Sequence, residues 1–147
     1  MKLQSGAVVL MLLTPAAVLA SDPAGRAKLP GTWQESGKAG SVWVLEEKSG
    51  AMHITGSEGD RKLADFECNT VGRDCELKEA GKKAKVSMWY NGPRLVELET
   101  RGSEVLQRTF GIVDENTLEV EVVQIVPEGK PETLHFKRTQ PAAPGTN

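Results

Sequence analysis

Residues 84–100 read AKVSMWYNGPRLVELET, two alternating runs joined at Asn91-Gly92. In the first run Val86, Met88 and Tyr90 fall on one side of an extended chain, with Lys85, Ser87 and Trp89 on the other, because strand side chains alternate with a period of two. Asn-Gly accepts the positive φ angles of a tight hairpin turn, so the chain reverses there. In the second run Val96 and Leu98 alternate with Glu97 and Glu99. The apolar pair is expected inward and the acidic pair on a solvated outer face. A lone hairpin with one dry face is not stable in water, so further strands must cover it.

The same pattern extends outward in both directions. Turn signals recur at Ser36-Gly37-Lys38, Lys48-Ser49-Gly50, residues 56–60, residues 71–74, Ala80-Gly81-Lys82, Arg101-Gly102-Ser103, Asp114-Glu115-Asn116 and residues 127–131. Spacings of roughly 8 to 12 residues belong to an antiparallel sandwich or barrel. Residues 104–112 put Leu106, Arg108, Phe110 and Ile112 on one side. Residues 117–126 put Leu118, Val120, Val122, Gln124 and Val126 opposite Glu119 and Glu121. No segment has the period of an amphipathic helix and no repeat is visible. The expected fold is all-β, a single antiparallel up-and-down barrel of about eight to ten strands around a dry interior.

Composition sets the outer bounds. The chain has 147 residues, 39% hydrophobic and 26% charged, with a formal charge of −2, which suits one globular domain. That balance excludes the basic excess by which nucleic-acid binders displace counterions. Lys78, Lys82, Lys83 and Lys85 alternate with Glu76 and Glu79, as on a solvated hairpin.

At the start, Met1-Lys2, the apolar run AVVLMLL at residues 7–13 and small residues up to Ala20 read as a signal peptide, with cleavage after Ala20. Residues 21–28 are expected to be a flexible leader, 29–138 the barrel and 139–147 a disordered tail. The protein is thus expected to be soluble and exported, periplasmic or extracellular, with no membrane span in its mature form. In an oxidising compartment Cys68 and Cys75 are expected to form a disulfide clamping the base of a hairpin. His53 and His135 lie at no ligand spacing from the cysteines or each other, so neither a metal nor a cofactor is expected.

Leu29-Pro30-Gly31-Thr32-Trp33 enters the first strand, and Leu134, Phe136 and Arg138 share a face of the last. This resembles the lipocalin and fatty-acid-binding (calycin) superfamily of small β-barrels. From Gly31 to Arg138 the likeness is to small exported bacterial lipocalin-like proteins. The resemblance implies that Trp33 of the Gly-x-Trp motif plugs one barrel end and packs against Arg138, with Gly31 beside them. There is no room after the first strand for the helical lid of fatty-acid-binding proteins, and the Thr-Asp-Tyr motif of classical lipocalins is absent.

Arg108 is the anomaly of the apolar rows. An inward guanidinium either forks onto the anionic head of a ligand, as the resemblance implies, or pairs with a protein acid or the solvent at the rim. Gln124 either orients a ligand polar group or is a satisfied core amide. Trp43, Met88, Tyr90, Phe110 and Phe136 either line a pocket or form plain core. The pairs Glu97 with Glu99 and Glu119 with Glu121 lack an accompanying nucleophile or metal set, so no enzyme is expected. The function expected is a noncatalytic barrel for a small apolar or amphipathic ligand, an anionic lipid being the candidate for Arg108. The alternative is an envelope protein-binding barrel, such as a hydrolase inhibitor, acting through exposed loops and the Cys68 to Cys75 hairpin with Trp89 as anchor.

Overall fold

The computed structural model describes residues 23–37, 40–79 and 82–139. The expected signal peptide and its cleavage point, and all of the expected tail after Thr139, lie outside the described residues. A short helix, α1 (Pro23–Ala27), precedes ten strands: β1 (Gly31–Glu35), β2 (Ser41–Lys48), β3 (Ala51–Glu58), β4 (Arg61–Asn69), β5 (Cys75–Glu79), β6 (Lys82–Asn91), β7 (Arg94–Arg101), β8 (Glu104–Asp114), β9 (Thr117–Val126) and β10 (Glu132–Arg138). They form one antiparallel meander in the order β4-β3-β2-β1-β10-β9-β8-β7-β6-β5. β1 pairs with β10, Trp33 opposite Arg138, so the meander curls into a nearly closed barrel. Among the described residues, the seam between β4 and β5 is the one place where the ring of strand pairing is interrupted.

The central hairpin turns one residue later than Asn91-Gly92 suggests. Asn91 is the last residue of β6 and pairs with Arg94, leaving Gly92-Pro93 as the two-residue connection. Gly92 carries φ 60°, which glycine reaches without steric penalty, and the proline that follows starts no ladder bond. The register then places Met88 opposite Glu97 and Val86 opposite Glu99.

The disulfide lies across the seam. Cys68, in β4, is bonded to Cys75 at the start of β5, with Cα atoms 5.7 Å apart. Beside it the connecting segment is laced to β6, Val71 bridging to Trp89 and the Gly72 N–H donating to the Met88 carbonyl at 2.8 Å. Trp89 is half-buried on the outer face and Val71 is 71% exposed.

One barrel end is plugged. Leu29 and Trp33 are fully buried, and the Trp33 indole N–H donates to the Leu29 carbonyl at 3.1 Å. The Arg138 guanidinium lies 4.1 Å over the Trp33 ring. It donates to the carbonyls of Lys28 at 2.7 Å, Pro30 at 3.0 Å and Glu115 at 3.2 Å. Gly31 has φ 151°, and a Cβ there would sit 2.5 Å from Arg138 Nη1, so the close approach requires glycine. Within the segment read as a leader, residues 23–28 form α1 and its exit. Arg26 anchors them, donating from Nε to the Gly92 carbonyl at 2.8 Å and stacking 4.5 Å over Tyr90. Above the plug the core is packed by Leu45, Met52, Ile54, Phe66, Met88, Phe110 and Phe136.

Candidate functional site

The opposite end, where β7 turns into β8 at Gly102-Ser103, opens onto a recess of about 310 Å³ lined by Leu63, Glu99, Arg101, Glu104, Leu106, Arg108 and Gln124. This is the low end of the range for small-molecule pockets. β7 and β8 supply most of the wall because their two-residue turn pairs Arg101 with Glu104, which puts Glu99 opposite Leu106 and Glu97 opposite Arg108.

That register overturns the expectation for Glu97 and Glu99. Both face the interior, Glu97 0% and Glu99 6% exposed, while Val96 and Leu98 take the outer side of β7. Directly opposed residues of paired strands share a face, so acids opposite Val86 and Met88 must point where those apolar side chains point. Glu119 and Glu121 stay on the outer side of β9, as expected.

Arg108 is paired with protein acids, the second of its two sequence-based readings. From one nitrogen, Nη1, it donates to both oxygens of Glu97 at 3.2 and 2.9 Å and to Glu99 Oε2 at 3.0 Å. Arg101 in turn donates from Nε to Glu99 Oε1. The guanidinium of Arg108 also lies 5.6 Å from the Trp43 ring. Among the described residues four charges thus meet beside the recess, two of each sign, and each has an opposite partner, which is the condition for keeping charge inside a protein.

The electrostatics divide the two acids. Burial pushes the Glu97 carboxyl above its ordinary range, against the pull of Arg108. Burial also raises Glu99, but hydrogen bonds from Arg101 and Arg108 outweigh it and hold that carboxyl below its ordinary range. Arg108 loses to burial and gains more from Glu97 and Glu99, so its charge is secured.

The linkage signs are therefore opposite. Glu99 contributes stability above its unfolded value that is lost as pH falls through its lowered folded value. Glu97 contributes stability below its unfolded value that is lost as pH rises through its raised one. Glu97→Gln, which imitates the protonated acid, is expected to melt above the parent protein at pH 7. The gap should close below pH 4, a thermal melt at the two pH values being the check, and a lower melting temperature at pH 7 would show that the pairing with Arg108 outweighs the burial of the Glu97 carboxylate.

The remaining candidates separate by depth. Gln124 reaches the recess, and its Nε2 donates to the carbonyls of Val105 at 3.1 Å and Val126 at 2.8 Å. Trp43 lies deeper, its ring centroid 6.4 Å from Phe110 and 6.5 Å from Phe136. Met88, Phe110 and Phe136 are buried core beneath it, and Tyr90 stands at the plugged end under Arg26. Leu63, Glu99, Arg101, Glu104 and Leu106 line the recess without having been singled out as ligand contacts in the sequence. The signal for Glu99 and Arg101 was available: any two-residue turn near Asn91 puts residues 97, 99 and 101 on the face of Val86 and Met88.

Cys68 and Cys75 are joined to each other and so cannot serve as thiolate ligands. Among the described residues no group of three or more His, Cys, Asp or Glu side chains could hold a metal ion. His53 binds Asp65 at 2.8 Å across β3 and β4 on the outer surface, where this bond and the Lys62 amine draw the Asp65 carboxyl downward.

These features define the fold as a lipocalin-like antiparallel β-barrel. Solved structures of the same shape include a secretory abundant heat soluble protein from Ramazzottius varieornatus, 12% identical over 76% of this chain and 96% of that one, TM-score 0.65. A fatty acid transporter, REP1-NXSQ, is 14% identical over 79% of this chain and 99% of that one, TM-score 0.65. A Schistosoma mansoni fatty acid binding protein in complex with arachidonic acid is 12% identical over 79% of this chain and 99% of that one, TM-score 0.65. No family model and no curated protein sequence matches the chain. No helix among the described residues is long and apolar enough to cross a membrane.

Proposed function

We propose that the protein is an exported, noncatalytic barrel that takes one small apolar or amphipathic molecule through its open end. The observation that carries this reading is the asymmetry of the barrel. One end is closed by Leu29, Trp33 and Arg138, while the other leads into a recess with apolar side chains, Leu63 and Leu106, beside hydrogen-bonding ones. An amphipathic ligand fits such a wall: its chain covers apolar surface at roughly 25 cal/mol per Å² and its polar end meets Arg108 and Gln124. Structural neighbours described as a fatty acid transporter and a fatty acid binding protein support the same class of cargo. The signal-like residues 1–20 and the disulfide support an oxidising compartment outside the cytoplasm.

Native mass spectrometry of the protein exported by its own cells and purified without detergent tests this reading. A persistent added mass that disappears on solvent extraction is expected, on a chain that begins at Ser21. A clean unliganded mass that also fails to shift when a medium-chain amphiphile is added would reject it.

A further inference from the structure

Two carboxylates built into the barrel already occupy the arginine that would receive an acidic ligand. Glu97 and Glu99 together take three hydrogen bonds from Arg108 Nη1, and Glu99 takes another from Arg101. The two guanidinium charges are matched by two carboxylate charges, and Glu104 adds a further negative charge at the rim. Among the described residues, a third carboxylate brought by a ligand would find each guanidinium of the recess already paired with an acid.

Hydrogen-bonding capacity nonetheless remains on both sides. Arg108 uses Nη1 alone toward the acids. Its Nε and Nη2 have no acceptor among the described residues, and no buried side-chain nitrogen or oxygen there is without a partner, so these donors keep some solvent access on a side chain that lines the recess. Gln124 spends Nε2 on two backbone carbonyls, which leaves Oε1 as an acceptor. A head group that accepts from a guanidinium N–H and donates to an amide oxygen completes this set.

Resting on the carrier reading above, we infer that Glu97 and Glu99 are specificity-determining residues that exclude carboxylates, and that the ligand's polar end is an uncharged hydroxyl or amide. Three amphiphiles of one chain length separate the possibilities: decan-1-ol, decanoate and decylammonium, titrated calorimetrically into the full-length mature protein at pH 7.4. The alcohol is expected to bind at least tenfold more tightly than either ion. Because decanoate is also the better hydrated molecule, the decisive comparison is with Glu99→Gln, which releases a positive charge in the recess. That variant should gain about tenfold for decanoate relative to decan-1-ol, and Glu97→Gln should shift the ratio in the same direction, so the result does not depend on one variant folding. Decanoate binding the parent protein as tightly as the alcohol, decylammonium binding tightest, or a ratio unmoved in both variants would overturn the inference while leaving the carrier intact. Failure of all three amphiphiles to bind would remove the carrier reading and the head-group assignment with it.

Discussion

Arg108→Leu is expected to destabilise the barrel by about 3 to 5 kcal/mol, the usual cost of removing one partner from a buried ion pair. Arg108 is the shared counter-ion of a fully buried Glu97 and a nearly buried Glu99, so the substitution strands Glu97 and leaves Glu99 to Arg101 alone. Leucine supplies apolar volume but no donor, and the desolvation of Glu97 is then opposed by nothing in contact with it. Urea unfolding at pH 7 measures the loss. Adding Glu97→Gln to Arg108→Leu should recover part of it, because the stranded charge rather than the lost shape is the main cost. A loss under 1 kcal/mol would mean that water enters the recess freely and that the cluster is a surface ion pair in its energetics.

Removing the Cys68 to Cys75 bond is expected to cost about 2.5 kcal/mol, the loop-closure entropy of a crosslink over so short a loop. The cysteines are 7 residues apart in sequence. For a domain of this size that corresponds to a fall in melting temperature of roughly 10 °C. The position of the bond matters as much as its loop length. It joins β4 to β5 across the seam that no backbone ladder closes, so reduction leaves the plugged half of that seam to the Val71 to Trp89 bridge. Thermal melts with and without a phosphine reductant, alongside Cys68→Ser/Cys75→Ser, measure the effect. A shift below 2 °C would assign the seam's stability to the bridging segment instead.

Much of this architecture can be read from alternation. Residues 84–100 and 117–126 state their strands, the Gly-rich turns state their connections, and a run of such hairpins has few outlets other than a barrel. The motif Gly31-Thr32-Trp33 and the distant Arg138 meet at the plugged end, a contact that strand closure creates between residues 108 positions apart, as in the Arg138 to Pro30 hydrogen bond.

The reading of β7 shows where alternation misleads. Val96 and Leu98 look like an inward row when β7 is judged by hydrophobicity alone, yet Val86, Met88 and Tyr90 make the competing claim through the turn. The hairpin register decides between them, because a one-residue change would reverse every side chain of the strand. Facing inward is tolerable for the acids because β8 presents Arg108 in the same cross-strand row. A buried charge is tolerable only with a partner, and that partner lies one strand away rather than next in sequence.

The amino-acid sequence by itself determined the all-β class with some eight to ten strands, the turns, the pairing of the two cysteines and the anomaly at Arg108, because each rests on local stereochemistry or on residue type. The tertiary structure alone decided that the end away from Trp33 opens onto a recess, that residues 23–28 pack at the plugged end, and that Arg108 in the recess is paired with Glu97 and Glu99. Those features depend on where strands from distant parts of the chain meet when the sheet curls, and on whose charge is then close enough to compensate whose.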